Sequence, residues 1–196
     1  TWNATNSSIA DGHYEIYVYA NDTVGNLGFR SRNFSVDTTK PIVSFGAGTE
    51  VNGANTSRNW IFANVSVVES NENIINFTLY DSIGSLVNAS SYANKQRTTN
   101  WTGLSQGYYY YNVTLIDLAA NENRTETRRI LLDTQSPLLS LFSPNNGSFY
   151  GGSIQNLTVN ATDSFGLSNL TLLVYNSSGS NINSSTFSTY SVYSLF

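Results

Sequence analysis

Seventeen of the 26 asparagines in this chain of 196 residues begin an Asn-X-Ser/Thr triplet, the acceptor for N-linked glycosylation. Chance placement of the serines and threonines would give about six such triplets. The acceptors lie in all parts of the chain, which predicts a general coat of glycans on an extracellular surface. They are Asn3, Asn6, Asn21, Asn33, Asn55, Asn64, Asn76, Asn88, Asn100, Asn112, Asn123, Asn146, Asn156, Asn160, Asn169, Asn176 and Asn183.

The charge composition agrees with a surface hydrated by sugars. Charged residues make up 11% of the chain, against roughly 25% in an average soluble domain. The formal net charge is −4, and the lysines and arginines form no cluster, so the sequence predicts no binding of nucleic acid. It has no apolar run of 18 residues, and we therefore expect no transmembrane segment in this chain.

Few residues are suited to catalysis. The chain has no cysteine and a single histidine, His13, which excludes disulfides, thiol nucleophiles and cysteine-ligated zinc. The acidic residues Glu69, Glu72 and Asp81 occupy ordinary strand-end and loop positions rather than a paired arrangement in a cleft. We therefore expect no enzymatic activity and no cofactor.

Calcium is the one metal for which the sequence offers ligands. Aspartates near strand ends could form oxygen-rich sites at loops and junctions. Such aspartates also close Asx turns, and no stretch brings three carboxylates together as a dedicated calcium loop does. The residues concerned are Asp22, Asp117 and Asp163, with Asp37 and Asp133 at the junctions.

The elements that carry the acceptors are predicted to be β-strands. An acceptor triplet places its Asn and Ser/Thr two residues apart, and residues two apart share one face of a strand. Outward-facing acceptors leave apolar residues facing inward. These are Val65 and Val67, Phe77 and Leu79, Leu157, Val159 and Ala161, and Tyr109, Tyr111, Val113 and Leu115, the last four matching Tyr14, Ile16, Val18 and Ala20. The alternation predicts an all-β sandwich of about seven strands per unit.

The chain repeats itself with a period near 95 residues. Gly12 and Gly107 are 95 residues apart, and Asp37 and Asp133, each at the start of an Asp-Thr-X-X-Pro string, are 96 apart. We predict one complete unit at residues 38–133. Residues 1–37 would be the last two strands, F and G, of a similar unit. Residues 134–196 would be the first strands of another, completed by following sequence or by a neighbouring chain.

Two segments suggest a family. The strings that end at Tyr14 and Tyr109 both read apolar-X-X-Gly-X-Tyr, which resembles the tyrosine corner of immunoglobulin-like and fibronectin type III Greek-key sandwiches. The Asp22-Thr-Val-Gly-Asn26 and Asp-Thr-X-X-Pro strings resemble tandem bacterial and archaeal Ig-like surface repeats. The resemblance implies that Tyr14 and Tyr109 hydrogen-bond backbone at the E–F turn. With its dense acceptors and no cysteine, the chain also resembles archaeal cell-surface proteins.

These observations predict a structural glycoprotein of an extracellular filament, stalk or surface layer. Identical subunits would join head to tail, with Tyr14, Ile16, Val18 and Ala20 on a strand donated to a neighbour. The alternative is an adhesin binding module that recognises a cell-surface or carbohydrate ligand through loops at the end of the sandwich. For a carbohydrate ligand, outward-facing tyrosines would form an aromatic platform on which sugars stack. These tyrosines lie in the run 108–111 and at Tyr17 and Tyr19.

Overall fold

The computed structural model describes residues 3–6 and 8–188. The predicted segments 1–37 and 134–196 are therefore described in part, because residues 1, 2, 7 and 189–196 lie outside the described residues. Every regular element described is a β-strand, which confirms the all-β prediction. None of the described residues forms a helix able to cross a membrane. The chain divides into two compact units, one ending at Leu132 and the other beginning at Asp133.

The first unit opens with an antiparallel hairpin, called the front hairpin below. It consists of β1 (Gly12–Asn21) and β2 (Leu27–Val36). Its register runs from Gly12 opposite Val36 to Asn21 opposite Leu27 without interruption. The two strands form a sheet of their own.

The rest of the first unit, residues 38–132, is a two-sheet sandwich. One sheet has the order β3-β5-β8, and the other has the order β4-β11-β9-β6-β7, with β10 added to β9. This is the strand order of an Ig-like Greek key, in which two three-residue strands, β4 and β10, supplement the predicted seven. The strands are β3 (Ile42–Phe45), β4 (Ala54–Thr56), β5 (Ile61–Val68), β6 (Glu72–Tyr80), β7 (Leu86–Tyr92), β8 (Thr98–Trp101), β9 (Gly107–Asp117), β10 (Glu122–Arg124) and β11 (Arg128–Leu132).

The buried core lies between the two sheets of the sandwich. Trp101 of β8 and Phe45 of β3 both contact the ring of Tyr111 in β9, with ring centroids 5.9 and 5.5 Å away. The predicted inward residues Phe77, Leu79, Tyr111, Val113 and Leu115 are all 0% exposed, and Val65 and Tyr109 are 3% and 8% exposed. The period-two alternation therefore assigned the inner face of these strands correctly.

The second unit, called the back unit below, consists of two hairpins. The first pairs β12 (Leu138–Ser143) with β13 (Thr158–Thr162), and the second pairs β14 (Asn169–Tyr175) with β15 (Asn181–Ser188). None of residues 133–188 is buried, and Leu138, Leu139 and Leu141 are each more than 60% exposed. The described part of the back unit thus has apolar strand faces without a closed core.

Candidate functional site

The acceptor asparagines are mostly on the protein surface. Fourteen of the 17 are exposed, Asn64 and Asn76 are half-buried, and Asn112 is 9% exposed. Strand alternation turns Asn64, Asn76, Asn100 and Asn112 away from the core, because each of them adjoins a buried core residue. The exposed acceptors are Asn3, Asn6, Asn21, Asn33, Asn55, Asn88, Asn100, Asn123, Asn146, Asn156, Asn160, Asn169, Asn176 and Asn183.

Asn112 differs from the other acceptors although it lies on the outer side of β9. The segment between β10 and β11 folds against it, and its Nδ2 donates a hydrogen bond to the Thr127 Oγ1, 3.0 Å away. In the same segment the buried Thr125 accepts the backbone N–H of Val113 at 3.1 Å. The sequence pattern missed this cover, because it fixes which way a side chain points but not what lies over it.

Two further acceptors use their amide nitrogen within the fold. Asn123 Nδ2 donates to the carbonyl oxygen of Pro41 at 2.9 Å, and Asn64 Nδ2 donates to that of Ala47 at 2.9 Å. Asn123 is nevertheless exposed and Asn64 half-exposed. A sugar-bearing amide keeps one N–H, so both positions are compatible with modification.

Each of the two tyrosines in an apolar-X-X-Gly-X-Tyr string bonds to backbone four residues earlier. The Tyr109 hydroxyl donates to the carbonyl of Ser105 at 3.0 Å, and the Tyr14 hydroxyl donates to that of Ala10 at 2.8 Å. Burial raises the pKa of Tyr109, and the charge of Asp81 adds to this effect. The hydroxyl therefore stays protonated and able to donate.

The aspartates considered for calcium accept backbone hydrogen bonds in turns. Asp117 Oδ1 accepts the backbone N–H groups of Ala119 and Asn121 at 2.8 and 2.9 Å, and Oδ2 accepts Asn121 Nδ2 at 2.8 Å. Asp22 makes the same three bonds, and those from Asn26 lower its pKa.

The remaining three aspartates each accept the backbone N–H two residues later, at 3.0 Å for Asp37, 3.1 Å for Asp133 and 2.8 Å for Asp163. In the described ranges no three His, Cys, Asp or Glu side chains come together as a metal site would require. All five aspartates thus accept a backbone N–H in a turn, and Asp37 also accepts a bond from the side chain of Asn71.

A hydrogen-bond network ties the front hairpin to the sandwich. Asp11 accepts the backbone N–H and hydroxyl of Thr38 at 2.9 and 2.8 Å, and also the Thr39 hydroxyl at 2.8 Å. These bonds lower the pKa of Asp11. Asp37 accepts Asn71 Nδ2 at its carboxylate and Asn121 Nδ2 at its carbonyl, at 2.8 and 3.0 Å. The sequence marked this junction only by its Asp-Thr-X-X-Pro string and gave no sign of the role of Asp11.

The apolar residues of the front hairpin are largely exposed on both faces. On the face predicted to be inward, Ile16 and Val18 are 52% and 62% exposed. On the opposite face the ring of Phe29 lies 5.8 Å from that of Tyr17 and 5.1 Å from that of Tyr19. This aromatic stack is the most extended exposed group of aromatic contacts in the described residues.

The tyrosine run 108–111 forms no comparable platform. Tyr109 and Tyr111 lie in the core, whereas Tyr108 is 37% exposed and faces the Arg129 guanidinium, 5.1 Å from its ring centre. Tyr110 is half-buried. The run therefore serves the sandwich core more than the surface.

No protein-family model and no curated protein matches the chain. Over 93% of its length it is similar to the tetra-tandem repeat in the extending region of a large adhesion protein (19% identity, TM-score 0.40, 46% of that chain). It is similar over 65% of its length to dimeric latent PorU from Porphyromonas gingivalis (14% identity, TM-score 0.38, 13% of that chain). Over 77% of its length it is similar to fibronectin(III)-like modules of Clostridium thermocellum CbhA (19% identity, TM-score 0.36, 80% of that chain). The chain spans less than half the length of the first two of these proteins.

Proposed function

We propose that this protein is a structural, heavily N-glycosylated component of an extracellular filament, stalk or surface layer, without catalytic activity of its own. The observation that carries the proposal is the exposure of 14 acceptor asparagines, distributed over the front hairpin, the sandwich and the back unit. A coat at this density would hydrate a surface on which charged residues are scarce. It leaves little bare surface for a specific ligand.

Assembly end to end, by donation of strands between subunits, is the second part of the proposal. The front hairpin and the back unit both present exposed apolar strand faces. The corresponding faces of the sandwich strands are buried. An unpaired strand edge beside an exposed apolar face is a template for a partner strand. A head-to-tail contact of this kind propagates into a fibre rather than closing into a ring.

The proposal is tested on the protein from its producing cells, captured with antibodies raised against the recombinant chain. Glycopeptide mapping is expected to find sugars at most of the 14 exposed acceptors, and immunogold labelling is expected to place the protein on filaments or on the cell surface. Bare acceptors together with labelling inside the cell would overturn it.

An adhesin binding module is the second candidate, and the aromatic stack of Tyr17, Tyr19 and Phe29 favours it. Exposed aromatic rings bind the apolar faces of sugars. Its test is binding of the unglycosylated chain to an array of oligosaccharides, with Tyr19→Ser as the matched variant. Binding that this substitution abolishes would support the adhesin; an array without signal would count against it.

A further inference from the structure

The strand β9 of the sandwich has neighbours on both of its edges. One edge pairs with β11, with Tyr109 opposite Ile130. The other pairs antiparallel with β6, where Phe77 is opposite Val113 and Ile75 is opposite Leu115. The sandwich thus shows how a hairpin of this type is completed.

The front hairpin matches β9 and β11 in detail. Its turn at Asp22 has the three carboxylate hydrogen bonds of the turn at Asp117, and Tyr14 repeats the backbone bond of Tyr109. The turn aspartates and the two tyrosines are both 95 residues apart. The strand β1 is therefore the counterpart of β9. Among the described residues, however, it pairs only with β2.

The hairpin β14–β15 of the back unit matches β6–β7 equally closely. Asp81 and Asn176 each accept backbone hydrogen bonds from the residues two and four positions further along the chain. The distances are 3.0 and 2.8 Å at Asp81, and 3.1 and 2.9 Å at Asn176. Both hairpins shift register once, after Leu79 in β6 and after Val174 in β14. The strand β14 is therefore the counterpart of β6, and in the described residues it pairs only with β15.

A third correspondence concerns β4. In the sandwich, Ala54–Thr56 follows Asn52-Gly53 and pairs in parallel with β11. Residues 148–150 follow Asn146-Gly147 in the back unit, and Gly53 and Gly147 have similar positive φ values of 85° and 75°. Residues 148–150 form no strand, and Phe149 is 100% exposed. This segment therefore lacks the partner that β11 provides in the sandwich.

From these matches we infer that β1 of one copy of this chain adds to the free edge of β14 in a second copy. The inference rests on the proposed end-to-end assembly and fixes its register. Transferring the β6–β9 pairing places Val18 opposite Leu172, Ile16 opposite Val174 and Ala20 opposite Leu170. The strand β2 then runs parallel to residues 148–150. The apolar residues of β1 join the half-buried face of β14, as the residues of β9 join those of β6.

The experiment uses disulfide formation between two tagged variants of the full chain, which has no cysteine of its own. The pair Tyr19→Cys and Thr171→Cys is the counterpart of Thr114 and Asn76, which lie directly opposite each other in the sandwich. Directly opposite residues are close enough for a disulfide. Mixing the two single variants under mild oxidation is expected to give a mixed covalent dimer.

The matched control replaces Tyr19→Cys with Tyr17→Cys, which lies on the same face of β1 two residues away. If the inferred register is correct, its dimer with Thr171→Cys forms at least tenfold more slowly. Equal rates for the two pairs, or a faster rate for the control, would overturn the register.

Sedimentation of the cysteine-free chain separates this inference from the proposed assembly. Concentration-dependent association with slow or unselective crosslinking would contradict the β1–β14 pairing and leave end-to-end assembly standing. A monomer at all concentrations would contradict both. Val18→Asp, on the inner face of β1, is expected to abolish association, whereas Tyr17→Asp on the opposite face is expected to preserve it.

Discussion

Ala120 lies at the position of the Asp117 turn that Gly25 occupies in the Asp22 turn. Both residues have a left-handed backbone, with φ of 67° for Ala120 and 92° for Gly25. Each donates its backbone N–H to the carbonyl of the aspartate three residues earlier, at 3.2 Å. The two turns thus share one conformation although only one of them has glycine at this position, and Ala120 carries the strain that glycine avoids.

Ala120→Gly is therefore expected to stabilise the sandwich. Removing the Cβ relieves a left-handed conformation that costs an L-residue roughly 1–2 kcal/mol, and part of the gain is offset by the extra freedom of glycine when unfolded. We expect the free energy of unfolding in urea to rise by about 1 kcal/mol.

Ala119→Gly is the control for that substitution. Ala119 lies in the same turn and is not among the residues with positive φ. The change is expected to lower stability slightly, because only the entropic cost of glycine remains. A stability gain at Ala119 equal to that at Ala120 would contradict the strain argument.

Tyr109→Phe tests the backbone hydrogen bond of the tyrosine corner. The substitution keeps the buried ring and removes only the hydroxyl that donates to Ser105. We expect a loss of about 1 kcal/mol in the free energy of unfolding, the usual net value of one such bond. Tyr19→Phe is the control because Tyr19 is 62% exposed. If Tyr19→Phe lowered the free energy of unfolding as much as Tyr109→Phe, the loss would not come from the hydrogen bond to Ser105.

The sequence predicted the fold well because the acceptor triplets have the period of a strand. Their alternation identified the inward residues Phe77, Val113 and Leu115, which are fully buried, and it also predicted the all-β class. Local patterns of this kind depend only on neighbouring residues, so a single sequence contains them.

Contacts between segments distant in sequence could not be predicted in the same way. The bonds from Thr38 and Thr39 to Asp11 span 27 and 28 residues. The left-handed Ala120 gave no signal because alanine favours no such conformation. The exposure of both faces of the front hairpin also depends on which partner strands are present, and that is a property of packing rather than of the local sequence.

Alkaline solution is expected to destabilise the sandwich. Burial raises the pKa of both Tyr109 and Tyr111 in the folded chain. Their stabilising contribution is complete below about pH 10, the pKa of an unfolded tyrosine. It is lost as the pH rises further, because the unfolded chain then releases protons that the folded chain retains. Urea midpoints measured from pH 8 to 11 check this, and Tyr109→Phe should reduce the decline above pH 10.

The acceptor at Asn112 is expected to carry no glycan in the folded protein, in contrast to the neighbouring acceptor at Asn100. Asn112 is 9% exposed and covered by the segment that contains Thr127, whereas Asn100 is exposed. A sugar at Asn112 would displace the segment over β9 and leave buried polar groups unpaired. Thr114→Ala and Thr102→Ala remove the two acceptor triplets and keep both asparagines.

In a cell that glycosylates the chain, Thr102→Ala is expected to lower the intact mass by one glycan, and Thr114→Ala is expected to leave the number of glycans unchanged. Each substitution removes the same hydroxyl and methyl group, at Thr114 within β9 and at Thr102 directly after β8. Loss of a glycan in Thr114→Ala would show that the sugar is attached before the segment between β10 and β11 closes over Asn112. The sandwich would then have to fold around it, and the cover seen here would belong only to the unmodified chain.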